Sequence, residues 1–91
     1  MLTIDYSKQA GNFLRKTPVK HAKQIINRIR ELAENPDGSP TIELKGFAPS
    51  RRLKSGEYRI IYMITNEVLE ILLVGKRNDD EVYELMKRVL W

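Results

Sequence analysis

The segment from Glu57 to Val74 constrains the fold more than any other part of the chain. It holds two runs rich in Ile, Val, Leu and Tyr, Glu57–Ile64 and Val68–Val74, and only Thr65-Asn66-Glu67 lies between them. Such residues with so short a connection predict two antiparallel strands. Both runs are apolar on both faces, which indicates central strands covered on two sides or a strongly curved sheet.

The residues before this pair predict a strand and two helices. Leu2–Tyr6 alternates like a short strand, and Ser7 is a suitable N-cap for the helix that follows. Thr17 and Pro18 are the predicted N-cap and first residue of a second helix, which ends at Asn35-Pro36-Asp37-Gly38. Its apolar stripe has six members: Ala22, Ile25, Ile26, Ile29, Leu32 and Ala33.

The remaining segments complete a small α+β domain. Thr41–Leu44 and Arg51–Lys54 are candidate strands, and a last helix is predicted to begin near Asp79 or Asp80. The predicted fold is a small, antiparallel-rich, curved sheet with an N-terminal helical hairpin and a C-terminal helix. Because the chain has 91 residues and no linker or repeat, residues 1–91 are predicted to form a single domain.

The composition excludes several kinds of site. Without cysteine the chain has no disulfide, no thiolate nucleophile and no cysteine-based zinc site. His21 is the single histidine, which excludes a two-histidine nuclease within one chain; beside Lys20 and Lys23 it is predicted to lie at the surface. We predict no metal and no other cofactor.

Nothing in the sequence predicts export or membrane insertion. The longest apolar runs, Ile60–Ile64 and Ile71–Val74, are far shorter than the roughly 20 residues of a membrane helix. Met1–Tyr6 becomes polar too early for a signal peptide. A cytoplasmic location is expected.

The net charge of +4 is concentrated in residues 45–59. Five basic residues and one acid lie there: Lys45, Arg51, Arg52, Lys54, Arg59 and Glu57. A clustered basic patch favours an anionic partner, either nucleic acid or an acidic protein. The alternative is a solvated basic loop.

Arg52, Lys54 and Arg59 form the first candidate site. The two-residue period of a strand places Arg52 and Lys54 on one face, and a hairpin at Gly56 brings Arg59 to the neighbouring strand. Three neighbouring cations repel one another unless an anion lies among them. Otherwise each of them points independently into solvent.

Two further candidates lie near the C-terminus. Lys76 and Arg77 follow Gly75 just before a predicted helix start, where unpaired backbone N–H groups favour an anion. Tyr83 lies at the edge of the apolar stripe of the last helix. Its ring packs there with a solvated hydroxyl, or, in a phosphate site, stacks on a base or supplies a proton.

These residue types favour RNA over DNA as a substrate if the chain is a nuclease. The 2′-OH of RNA can attack the adjacent phosphorus, so an enzyme needs only cations, a base and a proton donor. DNA has no such internal nucleophile.

Four stretches of the sequence stand out together. They are Leu44-Lys45-Gly46, Arg52-Leu53-Lys54-Ser55-Gly56-Glu57-Tyr58-Arg59-Ile60-Ile61-Tyr62, Val74-Gly75-Lys76-Arg77 and Glu81-Val82-Tyr83. In combination, and in the order of predicted elements over nearly the whole chain, they resemble the RelE/ParE superfamily of toxins from type II toxin–antitoxin modules. The sequence is most similar to the RelE branch, whose members cleave mRNA in the ribosomal A site.

The resemblance implies roles for five residues. Arg59 matches the strand arginine that contacts the scissile phosphate, and Arg77 matches a second phosphate-stabilising arginine. Tyr83 matches the tyrosine that stacks on the substrate base. Arg52 stands where RelE enzymes carry a lysine assigned to acid–base chemistry, and Lys54 lies one strand period further on. Because an arginine stays protonated at all ordinary pH values, Lys54 is the better candidate for proton transfer.

The resemblance also implies RNA contacts and partners. Lys45 matches the lysine of the Leu-Lys-Gly turn, and Arg51 and Lys76 are predicted to bind RNA with it; Ser50 replaces a second family lysine. The implied partners are the ribosome, mRNA and a cognate antitoxin in a hetero-oligomer. The alternatives are a ParE-like gyrase inhibitor and a catalytically weak member that mainly binds its antitoxin.

Overall fold

The computed structural model describes residues 1–38, 40–44, 46–77, 84 and 86–88. Two helices and five strands lie in this part of the chain. In chain order they are β1 (Thr3–Tyr6), α1 (Lys8–Lys16), α2 (Val19–Glu34), β2 (Thr41–Glu43), β3 (Arg51–Ser55), β4 (Tyr58–Thr65) and β5 (Val68–Lys76).

The five strands form one sheet in the order β1-β5-β4-β3-β2. β1 pairs with β5 in parallel, and the other three pairings are antiparallel. β5 therefore lies between the first strand of the chain and β4, which immediately precedes it in sequence. The predicted fold class, α+β with an antiparallel-rich curved sheet, is confirmed.

The β4–β5 hairpin forms where the sequence predicts it. Asn66 and Glu67 both adopt positive φ angles, +51° and +65°, as the two central residues of a type I′ turn require. The pairing shifts between Ile61 and Tyr62, which pair with Leu73 and Ile71, so Leu72 is an extra residue opposite them. This bulge places Leu72 beside Leu73 in the same apolar cluster.

The sheet is covered by apolar side chains on both faces. We call the face that α1 and α2 cover the helix face; its core includes Ile25, Ile29, Ile60 and Tyr62. The opposite face, here the front face, has a smaller core of three buried residues: Ile61, Leu73 and Met86. The prediction of central strands covered on two sides is therefore confirmed.

The start of α2 differs from the prediction by one residue. Pro18, not Thr17, is the N-cap, and its carbonyl oxygen accepts from the N–H of Ala22 at 2.9 Å. Thr17 instead ends α1, because its hydroxyl donates to the carbonyl oxygen of Phe13 at 2.7 Å. The prediction of Thr17 as N-cap is therefore wrong.

β5 extends beyond the end of β1, and residues at the start of α1 make the backbone hydrogen bonds there that β1 does not make. Ser7 accepts from the N–H of Ala10 as the predicted N-cap, and its hydroxyl also donates to the carbonyl oxygen of Leu72 at 2.6 Å. The side-chain amide of Gln9 then makes two hydrogen bonds with the backbone of Val74, at 2.9 and 3.0 Å. These contacts fix the strand just before Lys76.

The predicted last helix lies mostly outside the described residues. Glu84, Met86, Lys87 and Arg88 are helical, and Met86 is buried against the front face. Within the described part of the chain, no helix is both long and apolar enough to cross a membrane.

Candidate functional site

Lys54 and Arg59 are direct cross-strand partners on the front face. Lys54 in β3 pairs with Arg59 in β4, and Arg59 pairs with Gly75 in β5. Arg59 lies between Tyr58 and Ile60, which both point to the helix face, so alternation directs its side chain to the front. Side chains in such direct pairs have Cβ atoms about 5 Å apart.

The guanidinium of Arg59 is held by the turn that joins β3 to β4. Its Nη1 atom donates to the carbonyl oxygens of Gly56 at 3.0 Å and Tyr58 at 2.9 Å. Gly56 adopts a φ of +58°, which glycine accepts without steric cost. Only 7% of Arg59 is exposed, so this cation has a fixed position beside the exposed Lys54 side chain.

Arg52 lies two residues before Lys54 in β3. With Lys54 and Arg59 it forms a cluster of three cations, here the front-face cluster. Arg52 pairs with Ile61, a member of the front-face core, and therefore lies on the same face as Lys54. It is half-buried. The sequence-based placement of Arg52, Lys54 and Arg59 on one face of two neighbouring strands agrees with this register.

Arg77 lies close to the same turn. Its backbone N–H donates to the carbonyl oxygen of Glu57 at 2.8 Å, two residues beyond Gly75, the partner of Arg59. The Arg77 side chain is exposed. The sheet thus brings Arg77 to the end of the molecule where Arg59 is anchored.

Arg51 and Lys76 lie on the helix face instead. Arg51 pairs with Tyr62, forms an ion pair with Glu43 at 3.6 Å and donates to the Thr41 hydroxyl at 3.1 Å. Lys76 pairs with Tyr58 and lines a cavity of about 230 Å³ with residues of the helical hairpin. These two predicted RNA contacts therefore do not join the cluster around Arg59.

Two predicted site residues, Lys45 and Tyr83, lie outside the described residues. Ser50 is 4% exposed. Its N–H donates to Phe47 at 2.8 Å and its carbonyl oxygen accepts from Leu44 at 3.1 Å, so it closes the loop before β3.

His21 is exposed, as predicted, but it has a specific contact. Its Nδ1 atom lies 3.0 Å from the hydroxyl oxygen of Tyr58, and the two rings meet edge to face at 5.6 Å. Tyr58 is 7% exposed and Tyr62 is 1% exposed, in agreement with their prediction as core residues.

Arg28 supports the cluster from α2 and is not among the site residues predicted from the sequence. Its Nε and Nη2 atoms donate to the carbonyl oxygen of Lys54 at 3.3 and 3.2 Å. Its Nη1 atom also forms an ion pair with the Glu31 carboxylate at 3.8 Å. No sequence pattern marks this contact, because it depends on where α2 crosses β3.

The front-face cluster suits an anion with several oxygen atoms. Arg59 offers a fixed cation, Lys54 a flexible one that can also exchange a proton, and Arg52 a third charge. Among the residues the structure describes, no three histidine, aspartate or glutamate side chains lie close enough together to hold a metal ion.

A family model and several solved structures match the chain. The model described as the ParE toxin of type II toxin–antitoxin system, parDE, matches residues 4–81. No curated protein sequence matches significantly. A double arginine-to-alanine mutant of the E. coli toxin RelE in the free state is 28% identical with a TM-score of 0.77, and 98% of each chain is covered.

Two further structures extend the comparison. The same RelE mutant in complex with a peptide of the antitoxin RelBc is 29% identical, with a TM-score of 0.70 and 98% of each chain covered. The chromosomal ParDE system of P. aeruginosa is 12% identical, with a TM-score of 0.69 over 84% of this chain and 96% of that one. At that identity the last match shows the fold alone.

Proposed function

This chain belongs to the ParE toxin family of type II toxin–antitoxin systems, within the RelE/ParE superfamily, and from its front-face cluster and its similarity to RelE structures we propose that it is a ribosome-dependent mRNA endonuclease. Its reaction uses no metal ion. A cognate antitoxin binds and neutralises it in a hetero-oligomer, in the cytoplasm. We treat residues 1–91 as a single toxin domain.

The observation that carries the proposal is the direct pairing of Lys54 with Arg59 on the front face. A buried arginine beside an exposed lysine combines fixed charge with a group that can transfer a proton. The two solved RelE structures, which align with nearly the whole chain at 28–29% identity, support the same assignment.

The proposed reaction is an internal transesterification of RNA. The 2′-hydroxyl loses its proton as its oxygen attacks the adjacent phosphorus, and the bond from phosphorus to the 5′-oxygen breaks as that oxygen gains a proton. The products are a 2′,3′-cyclic phosphate and a 5′-hydroxyl end. Arg59, with Arg52 and Arg77, stabilises the negative charge that develops on the phosphate oxygens. Lys54 and Tyr83 are the proposed proton-transfer and base-stacking residues, and Lys45 is a proposed RNA contact. Arg51 and Lys76 lie on the helix face, so any RNA contact of theirs is outside the reacting site.

Mapping of mRNA 5′ ends by primer extension tests the proposal. Purified ribosomes carrying a defined mRNA are incubated with the protein, with Arg59→Ala or with Arg77→Ala. We expect cuts at the A-site codon that need ribosomes, and a loss of about 10²–10³-fold in rate in each variant, since each removes a cation that stabilises the transition state.

Arg88→Ala is the matched control, because Arg88 is an exposed arginine near the end of the chain. It should cut mRNA at the rate of the unchanged protein. Intact mRNA at high concentrations of the unchanged protein would overturn the proposal.

A ParE-like inhibitor of DNA gyrase is the second candidate. One observation favours it: the family model that matches is described as a ParE toxin. The resemblance of the sequence to RelE enzymes adds that Arg52 and Ser50 replace two of their lysines. Loss of gyrase supercoiling activity, together with intact mRNA in the primer-extension assay, would establish this function instead.

A further inference from the structure

The helical hairpin carries basic residues and no acidic residue over a long stretch of sequence. From Ser7 to Arg30 there is no aspartate or glutamate. Seven lysines and arginines lie in the same stretch: Lys8, Arg15, Lys16, Lys20, Lys23, Arg28 and Arg30. Acids elsewhere in the chain offset this charge in the total, so the net charge of +4 conceals it.

Six of the seven cations are exposed, and we call them the hairpin patch: Lys8, Arg15, Lys16, Lys20, Lys23 and Arg30. Arg28 is excluded because it is bound to the carbonyl oxygen of Lys54. Within the part of the chain that the structure describes, no member of the patch forms an ion pair. Each of the six therefore presents an exposed charge without a direct carboxylate partner among the described residues.

The patch lies on the opposite side of the molecule from Arg59. The buried sides of α1 and α2, through Ala10, Ile25 and Ile29, pack on the helix face of the sheet. The outer sides of the helices therefore point away from the sheet, and the front face lies behind it. A ligand of the hairpin patch leaves the cluster around Arg59 accessible.

The outer side of α2 mixes these cations with neutral amides. Lys20, Lys23, Asn27 and Arg30 recur at helical spacing along one side, over about 15 Å, with Gln24 next to them. All five side chains are exposed. Lysine and arginine bind phosphates, and amides both donate to and accept from hydroxyl groups.

We propose that the hairpin patch binds the phosphate backbone of double-stranded RNA across its minor groove. The minor groove of an RNA helix is wide and shallow and displays 2′-hydroxyl groups between two rows of phosphates, which matches amides set between cations. The choice of RNA over DNA rests on the proposed function. The binding itself is measured without ribosomes or cleavage, so either proposal can fail alone.

Fluorescence anisotropy with a labelled 20-base-pair RNA duplex tests this proposal. The full chain is compared with Lys20→Gln/Lys23→Gln, which removes two charges from the patch and keeps good helix-forming residues. We expect the Kd at about 0.1 M salt to rise tenfold or more. The slope of log Kd against log salt should fall by about 2, one for each lost phosphate contact.

Lys87→Gln/Arg88→Gln is the matched control, since it removes the same charge from two other exposed positions. It should change the Kd less than about twofold. Equal effects of the two double variants would show that only net charge matters and would overturn the proposal. Equal affinity of the unchanged protein for a DNA duplex of the same sequence would overturn the assignment to RNA.

If Lys20→Gln/Lys23→Gln bound RNA as tightly as the unchanged protein but bound the antitoxin more weakly, the patch would be assigned to an acidic protein instead.

Discussion

At the scale of single residues, neighbours in sequence have different environments because they lie on different faces of one strand. Arg51 contacts Thr41 and Glu43 on the helix face, whereas Arg52 lies on the front face. The two-residue period separates these arginines already in the sequence. The charge cluster of residues 45–59 therefore divides between two surfaces.

Substitutions of Lys54 test whether this residue transfers a proton during cleavage or contributes only positive charge. We expect Lys54→Ala to lower the rate of ribosome-dependent cutting about 10²-fold or more, because it removes the exchangeable group beside Arg59. Lys54→Arg keeps the charge but cannot exchange a proton near neutral pH. If Lys54 transfers a proton, Lys54→Arg should be as slow as Lys54→Ala.

The measurement is the single-turnover cutting rate of each variant on programmed ribosomes. A rate for Lys54→Arg close to that of the unchanged protein would show that Lys54 contributes charge alone. Glu84→Gln, an exposed position in the C-terminal region, serves as the control and should leave the rate unchanged.

At the scale of elements, the sheet depends on contacts between a helix and a strand edge. β1 pairs with β5 only as far as Ile71, and Ser7 and Gln9 of the α1 region continue the pairing to Val74. The side-chain amide of Gln9 makes the two hydrogen bonds that a neighbouring strand would otherwise make. This contact supports β5 directly before Lys76 and Arg77.

Gln9→Ala should destabilise the fold through this edge. It leaves the N–H and carbonyl oxygen of Val74, a fully buried residue, without these two partners, which costs about 1–3 kcal/mol. Gln24→Ala removes an exposed glutamine from α2 and should cost less than about 0.5 kcal/mol. The free energy of unfolding in urea measures both, and equal values would contradict this role of Gln9.

The sequence predicts elements better than it predicts contacts between them. The β4–β5 hairpin was predictable because its apolar runs are continuous and its turn is short. The start of α2 was not, because Thr17 can either cap α2 or end α1, and only the path of the chain decides between them. Arg28 and Gln9 carry no local signal, since their partners lie 26 and 65 residues away.

At the scale of the whole molecule, positive charge lies on both sides of one sheet. The front face carries Arg52, Lys54 and Arg59, and the hairpin patch covers the outer side of α1 and α2. Both of these basic surfaces attract an acidic segment of the antitoxin electrostatically. Only the front face is proposed to hold the reacting phosphate, so neutralisation requires the antitoxin to reach that face.

Charge reversal separates the two surfaces in antitoxin binding. We expect Arg52→Glu/Lys54→Glu to raise the Kd for the cognate antitoxin at least about tenfold at low salt, and less at high salt where such interactions are screened. Lys8→Glu/Arg15→Glu reverses two charges on the outer side of α1 and should change the Kd much less. Titration calorimetry at two salt concentrations measures both, and an unchanged Kd for the first variant would refute the electrostatic contribution.

The position of β5 sets the order in which the fold can form during synthesis. Among the strands that the structure describes, β5 is the last to be made, yet it is the direct neighbour of both β1 and β4. A nascent chain that ends at Glu67 holds both helices and four strands, but β1 has no strand to pair with and the helix-face core lacks Leu69, Ile71 and Val74. The sheet therefore stays incomplete until β5 has been translated, and the surface around Arg59 is completed only when its partner Gly75 has been made.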